Sequence, residues 1–392
     1  MVLDFAAVAS FAALLLTAGC GGGGGDAAPT GPNVQAITVD PGPAGNVNLL
    51  FTTVTICAPG GSSNCQSIDH VLVDTGSTGL RIVSSVLSPS LALPQQADTS
   101  GNPFVECGRF VSGYIWGPVK VADVKMAGKQ ASSAPIQVIG DPAFSVVPSS
   151  CSSAGPSLNS VLALGANGLL GVGLFQEDCG PACAQMVIPG IYYVCSSGAC
   201  QPALAQLSKQ VQNPVGMFSG DNNGVIISLP SIPAAGAASV TGAMIFGIGT
   251  QGNNGLGNAH VIRVNPNDGT FTTFWNSTTF IESFIDSGSN GLFFASGITA
   301  CSSAAGFYCP ASTQNFSAMN QGTSGPASTV SFQVANAESM FSAHPTFSAF
   351  ASLAGTNSNG FDWGLPFFYG RDVFTAIEGR NTPAGSGPYV AY

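Results

Sequence analysis

Residues 71–80 read Val-Leu-Val-Asp-Thr-Gly-Ser-Thr-Gly-Leu, and residues 283–292 read Ser-Phe-Ile-Asp-Ser-Gly-Ser-Asn-Gly-Leu. Both stretches share the pattern Asp-(Thr/Ser)-Gly-Ser-x-Gly-Leu, and each aspartate follows apolar residues that are typical of a buried strand. One copy lies in each half of the chain, with Asp74 in the first and Asp286 in the second. This internal repeat predicts two related units that each place one carboxylate at the end of a strand.

Each copy is expected to support its aspartate in the same way. The glycine allows a tight turn that directs backbone N–H groups toward the carboxylate. The residue before the glycine supplies a hydroxyl that can bridge the two copies, and the serine after it can bind the carboxylate from outside. Two carboxyls at hydrogen-bond distance cannot both ionise, so the pair is expected to share a proton and to activate a water. These supporting residues are Thr75, Gly76, Ser77, Ser287, Gly288 and Ser289.

The composition narrows the class of protein around this repeat. Only 7% of the 392 residues are charged, against roughly 25% in ordinary soluble domains, which argues against a disordered tail or a coiled coil. Nine basic and nineteen acidic residues give a net charge of −10, which disfavours binding to nucleic acid or to an anionic membrane surface. The 51 glycines favour strands and turns over long helices, so a mostly β protein is expected.

The N-terminus has the features of an export signal. Phe5 to Ala18 form an apolar stretch that is too short to span a bilayer but suits a signal peptide. The segment 16–20, Leu-Thr-Ala-Gly-Cys, resembles a bacterial lipobox, which would make Cys20 a lipidation site. Residues 1–20 are therefore interpreted as signal and residues 21–33 as a glycine-rich tether, which predicts an exported envelope protein, an outer-membrane lipoprotein. The alternative is a cleaved secretory signal with an incidental cysteine.

The ten remaining cysteines predict structural disulfides. Their number is even, and the chain has only three histidines, none near the densest cysteine cluster, so a zinc site is disfavoured. Cys57–Cys65 and Cys301–Cys309 would each close a short loop. A hairpin closed by two bridges would pair Cys179 with Cys200 and Cys183 with Cys195, which leaves Cys107 with Cys151. The sequence itself does not determine the pairing. The expected pairs are Cys57–Cys65, Cys301–Cys309, Cys179–Cys200, Cys183–Cys195 and Cys107–Cys151.

The paired motifs resemble those of the pepsin-like aspartic proteases, which are two-lobed β proteins with one Asp-(Thr/Ser)-Gly loop in each lobe. That family also has an apolar-apolar-Gly element beneath each loop, and residues 168–173 and 362–365 match it in order. Residues 241–247 are similar to the strand that opens the second lobe. The resemblance implies lobes at 34–228 and 229–392, pseudo-twofold symmetry and few short helices. The lipobox and motifs together also resemble an uncharacterised bacterial family.

In the pepsin-like family a hairpin, the flap, closes over the substrate through a tyrosine that a tryptophan supports. The resemblance places the flap at 107–119, with Phe110 in the tyrosine position and Gly113 and Tyr114 after it, while Arg81 replaces the tryptophan. We expect these four residues at the substrate cleft, where Arg81 would favour an acidic substrate group or lower the carboxyl pKa values. The alternatives are that Arg81 faces solvent and that Phe110 packs inside the hairpin.

The resemblance implies an aspartic endopeptidase that cleaves extended peptides at acidic pH with Asp74 and Asp286 as catalytic residues. The partner would be a peptide or protein substrate, of which the cleft between the lobes takes an extended stretch of about six to eight residues. A monomer without metal or organic cofactor is expected, attached to the membrane only through its lipid. The alternative function is a catalytically inactive surface module that binds peptide, polysaccharide or another envelope protein.

Overall fold

A computed structural model describes residues 30–61, 64–357 and 360–392. The expected signal segment, the lipidation site Cys20 and residues 21–29 of the expected tether lie outside these described residues.

Strands dominate the described residues, which confirms the all-β class and the scarcity of helix expected from the sequence. The helices are α1 (Ser149–Ser152), α2 (Val161–Leu164), α3 (Pro181–Gln185) and α4 (Ala337–Ala343). The strands are β1 (Val34–Val39), β2 (Leu50–Cys57), β3 (Cys65–Asp74), β4 (Thr78–Val83), β5 (Phe104–Phe110), β6 (Gly113–Met126), β7 (Lys129–Ile139), β8 (Gly168–Val172), β9 (Tyr192–Ser196), β10 (Ala199–Pro202), β11 (Gly224–Leu229), β12 (Val240–Phe246), β13 (Val261–Arg263), β14 (Phe271–Trp275), β15 (Thr278–Ile285), β16 (Leu292–Phe293), β17 (Gln314–Gln321), β18 (Ser328–Val334), β19 (Ala354–Gly355), β20 (Asp362–Trp363), β21 (Arg371–Ala376), β22 (Asn381–Thr382), β23 (Gly385–Ser386) and β24 (Tyr389–Ala391).

One large sheet connects the two halves of the chain. Its fifteen described strands run in the order β10-β9-β5-β6-β7-β4-β8-β3-β2-β1-β12-β11-β21-β24-β13. The halves join where β1 pairs antiparallel with β12 along its whole length, from Val34 opposite Ile245 to Val39 opposite Val240. A second sheet of seven described strands, β18-β17-β14-β15-β20-β16-β19, comes from the second half.

Both aspartate loops have the same strand arrangement around them. In the first, β3 lies parallel to β8, and β4 returns antiparallel to β8. In the second, β15 lies parallel to β20, and β16 returns antiparallel to β20. A glycine lies in β8 and another directly follows β20, at points where the returning chain passes very close: a Cβ on Gly171 would lie 2.5 Å from the Thr78 nitrogen, and one on Gly364 would lie 2.1 Å from the Gly291 oxygen. The close approach of the returning chain therefore explains why each apolar-apolar-Gly element ends in a glycine.

Aromatic side chains fill the core behind the second loop. Phe294 stacks on Phe361 with ring centroids 4.5 Å apart, and Phe361 stacks on Trp363 at 4.2 Å. Burying each of these rings contributes on the order of 2–3 kcal/mol. Successive strand side chains point to opposite faces, so Trp363 enters this core while its neighbour Asp362 faces the other way.

The described chain contains five disulfides, three of which match the expected pairs, Cys57–Cys65, Cys107–Cys151 and Cys301–Cys309. The doubly stapled hairpin was the wrong interpretation. Cys195 and Cys200 lie directly opposite each other in the β9–β10 hairpin and bond to each other, not to Cys183 and Cys179. Cys179 and Cys183 lie one helical turn apart at α3 and form their own bridge.

Five disulfides indicate that the protein resides in an oxidising compartment, because reducing compartments keep thiols free. Among the described residues, every helix is too short to cross a bilayer.

Candidate active site

The two aspartates are held by matching loops. Asp74 ends β3 and is 5% exposed. The Gly76 N–H donates to its Oδ1 at 2.8 Å, and the Ser77 hydroxyl donates to its Oδ2 at 2.5 Å. The second loop repeats this pattern around Asp286: the Gly288 N–H donates at 2.8 Å, and the serine that follows donates at 2.8 Å. The turn glycines and outer serines therefore occupy the supporting positions that the repeat predicts.

Each loop reaches across to the carboxyl group of the other. A Cβ added to Gly76 would lie 2.7 Å from Cγ of Asp286, and one added to Gly288 would lie 2.8 Å from Cγ of Asp74. These distances are below van der Waals contact, so glycine is required at both positions to let the two carboxyls approach. The reciprocal contact brings both aspartates to the centre of one site.

Hydroxyls cross between the loops and fasten them together. The Thr75 N–H donates to Ser287 Oγ at 3.1 Å, and the Ser287 N–H donates to Thr75 Oγ1 at 2.9 Å. The same hydroxyls donate onward to the strands behind, Thr75 to the Ile285 carbonyl at 3.2 Å and Ser287 to the Val73 carbonyl at 2.8 Å. Because both side chains are buried and fully engaged, the two loops are braced as one unit.

Burial and like charge alter the protonation of the pair. Burial raises the pKa of Asp74 well above its ordinary value of 3.8, and the neighbouring charge of Asp286 raises it further. The hydrogen bonds from Ser77 and Gly76 oppose this rise without cancelling it. Asp74 therefore keeps a proton to a higher pH than an ordinary aspartate does.

A third carboxyl, which lies outside the two aspartate motifs, is found beside the pair. Asp362 begins β20 and is 6% exposed. Burial raises its pKa well above 3.8, the charges of Asp286 and Asp74 raise it further, and the Ser289 hydroxyl lowers it in part. Its Oδ1 has no hydrogen-bond partner among the described residues. The sequence signal for it is the alignment of the two apolar-apolar-Gly elements, in which Asp362 takes the position of Leu169. In the structure Asp362 accordingly faces Phe284 in β15 as Leu169 faces Leu72 in β3.

The three carboxyls line a cleft of about 650 Å³. Its wall on the Asp74 side is mainly apolar, whereas its wall on the Asp286 side is mixed. The apolar wall includes Leu49, Leu72, Phe110, Leu158, Ala163, Leu164 and Leu169; the mixed wall includes Phe284, Asn290, Phe293, Thr356, Asn357 and Asp362.

The β5–β6 hairpin covers one edge of this cleft. Phe110 and the tip residues Val111 and Ser112 line it, and the Val111 side chain is fully exposed. Gly113 turns the chain at φ +150°, where an added Cβ would lie 2.2 Å from the Pro156 oxygen. The expectation for Tyr114 was wrong: it is 8% exposed and packs into the cluster of Trp116 and Tyr193 rather than lining the cleft. Strand alternation turns it inward, away from the tip.

Arg81 lies neither at the cleft nor in solvent, which corrects both expectations. It is 3% exposed and donates to Glu106 at 2.5 Å and to Asp178 at 3.2 Å. Burial alone would lower the pKa of Arg81, but the charges of Glu106 and Asp178 raise it. Burial, together with the charge of Glu106, also raises the pKa of Asp178 well above 3.8, and the Tyr192 hydroxyl donates to it at 2.7 Å. A buried guanidinium requires such partners, so Arg81 stabilises the base of the hairpin instead of contacting a substrate.

Among the described residues, one cluster has the spacing of metal ligands: Cys301, Cys309 and Glu338. The two sulfurs are bonded to each other, so this cluster does not offer a thiolate site.

Fold and site together define a mostly β protein in which two copies of a carboxylate loop meet in one cleft. The chain belongs to the family described as "Protein of unknown function (DUF3443)", which it matches over residues 29–392. A comparison with curated proteins found no match.

Proposed function

We propose that the protein is a pepsin-like aspartic endopeptidase that cleaves extended peptides at acidic pH. The reciprocal approach of each loop's glycine to the other loop's carboxyl supports this most strongly, because it creates a single site from two symmetric halves. A purely structural turn would need neither a buried Asp74 and a half-buried Asp286 nor their position in the wall of a cleft. The division into lobes at 34–228 and 229–392 belongs to the same proposal.

In the proposed reaction, Asp74 carries the shared proton and Asp286 accepts a proton from a water held between them. The water oxygen bonds to the peptide carbonyl carbon while Asp74 protonates the carbonyl oxygen. Collapse of this intermediate breaks the C–N bond: the nitrogen takes the proton from Asp286, and Asp74 recovers a proton from the hydroxyl. One water and one peptide bond yield one carboxyl and one amine, and the scheme uses neither a metal nor an organic cofactor.

The hydrogen bonds around the pair suit this role. Ser77, Ser289 and the two glycine N–H groups hold the four carboxyl oxygens in place before substrate arrives. Positioning of this kind lowers the cost of reaching the transition state, since no group must reorganise during the reaction. The hairpin tip at residues 110–112 would exclude water from one side of a bound peptide.

One observation favours the alternative, a non-catalytic module that binds peptide, polysaccharide or another envelope protein. Tyr114 packs inside the hairpin, so it does not contribute a hydroxyl to the cleft. Phe110 lies at the cleft instead and offers only apolar contact. A binding module would keep the cleft and lose the reaction.

Export as a lipoprotein is part of the proposal. The oxidising compartment agrees with export, and Cys20 would carry the acyl chains at the end of a short tether. Mass spectrometry of the mature N-terminus tests this. An acylated Cys20 is expected, and an unmodified mature N-terminus at another residue would contradict it.

The catalytic proposal is tested with residues 26–392 incubated with an unstructured protein between pH 3 and pH 6. We expect cleavage that pepstatin, a transition-state mimic, inhibits, and that Asp74→Asn and Asp286→Asn each abolish. Exposed Asp372→Asn is the matched control, because it removes the same charge away from the cleft. Absence of cleavage by the wild type would support the binding module, and equal cleavage by the dyad variants would refute Asp74 and Asp286 as the catalytic pair.

A further inference from the structure

The two repeats differ at one matched position that faces the cleft. In the first, Leu72 and Leu169 lie opposite each other in neighbouring strands, two positions before the aspartate and its partner glycine. In the second, the register places Phe284 opposite Asp362. All four residues line the cleft. The Asp286 side of the site therefore has Phe284 and Asp362 where the Asp74 side has two leucines.

The burial of Asp362 lowers the stability of the folded state. The side chain is more than nine-tenths buried, and its Oδ1 has no partner among the described residues. An unsatisfied buried acceptor destabilises the folded state, and a leucine like the one in the first repeat would avoid that cost. Asp362 lines a cleft that a ligand can enter, so a ligand that donates hydrogen bonds to its carboxyl group would offset this cost.

The charges around Asp362 indicate which donor would gain most. The charges of Asp74 and Asp286 both act on Asp362, and the Ser289 hydroxyl lies within hydrogen-bonding range of it. Among the residues lining the cleft, one is basic, Arg109, on the hairpin that covers the edge. A cationic group beside Asp362 would therefore meet an excess of carboxyls, whereas an acidic group would be repelled and an apolar group would leave Oδ1 unpartnered.

We propose that Asp362 makes the Asp286 side of the cleft a subsite for a basic side chain of the peptide, lysine or arginine, while Leu72 and Leu169 take an apolar side chain on the Asp74 side. This inference rests on the proposed peptidase function. Asp362 is a specificity-determining residue in it and takes no part in bond cleavage. Binding of the cation would draw the proton from Asp362, so the preference strengthens as pH rises within the working range.

The experiment measures binding, so it does not depend on turnover. Octapeptides with a non-cleavable hydroxyethylene group at the centre are prepared with lysine, arginine or leucine at each position in turn. Their affinities are measured by calorimetry at pH 5 for wild type, Asp362→Leu, Asp362→Asn and the control Asp372→Asn. Asp362→Leu reproduces the residue at the matched position of the first repeat, and Asp362→Asn keeps the shape without the charge. Thermal unfolding of each variant confirms that it is folded.

At one of the eight peptide positions, we expect the wild type to bind the peptides with lysine or arginine on the order of tenfold to a hundredfold more tightly than the peptide with leucine there. Asp362→Leu should reverse the order, Asp362→Asn should remove most of the preference, and Asp372→Asn should preserve it. A basic preference that survives in Asp362→Leu, or a wild type that binds all peptides equally, would overturn the inference alone. If no peptide binds the wild type, the proposed peptide cleft itself is refuted.

Discussion

Replacing Gly76 by alanine tests whether the two loops approach each other as the structure shows. The new Cβ would lie 2.7 Å from Cγ of Asp286 and 2.8 Å from its Oδ1. Carbon atoms in contact prefer about 3.5–4.0 Å, so the carboxyl or the loop must move by about 1 Å. A displacement of that size at a catalytic group costs on the order of 10²-fold in rate, and overpacking costs about 1–3 kcal/mol in the free energy of unfolding.

The assay combines kcat/KM on a peptide substrate with chemical unfolding, for Gly76→Ala and for its counterpart Gly288→Ala. Gly252→Ala is the matched control, because Gly252 is exposed and an added Cβ there meets no atom within 4 Å. We expect both site variants to lose activity and stability while the control loses neither. Site variants that behave like the control in both measurements would refute the crossed-loop geometry.

Three further predictions concern stability. Arg81→Met should lower the free energy of unfolding by about 3–5 kcal/mol, because it leaves buried Glu106 without its cation; a change below about 1 kcal/mol in urea unfolding would contradict this. Because their pKa values are raised, Asp74, Asp178 and Asp362 stabilise the fold below pH 3.8, and this contribution is lost as pH rises through the raised values. The free energy of unfolding should therefore be lower at pH 7 than at pH 4. Asp362→Asn should weaken this dependence, and an unchanged slope would exclude a protonated Asp362. The double substitution Cys107→Ser and Cys151→Ser should lower the free energy of unfolding by about 2–4 kcal/mol and speed proteolysis within the β5–β6 hairpin. An unaltered rate of proteolysis would show that this disulfide does not stabilise the hairpin.

The centre of the site could be predicted because its chemistry is local in sequence. The aspartate, the turn glycine and the hydroxyl residues lie within four consecutive positions of each copy, so one motif specifies the turn, its N–H donors and its carboxylate. The repeat then implies that the copies meet. The same locality explains why Cys57–Cys65 and Cys301–Cys309 were predicted correctly, since each closes a short loop.

The features that the sequence did not reveal depend on contacts between distant segments. The surroundings of Arg81 come from three separate stretches that bring Glu106, Asp178 and Tyr192 together, and no local pattern marks them. The closeness of Asp362 to the aspartate pair depends on the pairing of β20 with β15, and a single sequence does not show which strands pair.

Two other predictions are wrong because the local geometry differs from the expected one. The position of Tyr114 depends on the strand register, which turns its side chain into the core. The cysteine cluster was interpreted as one long hairpin, whereas its chain path makes a helical turn and a separate tight hairpin. The division into two lobes remains a prediction.

Water activation by the aspartate pair is tested by kcat/KM for one bond of a defined peptide at pH 4, for the wild type and for Asp286→Asn, with unfolding measured on both. Asp286→Asn keeps the size and shape of the side chain but cannot accept the proton from water. We expect a loss on the order of 10³-fold or more with both proteins folded. Equal rates in the two proteins would contradict the account.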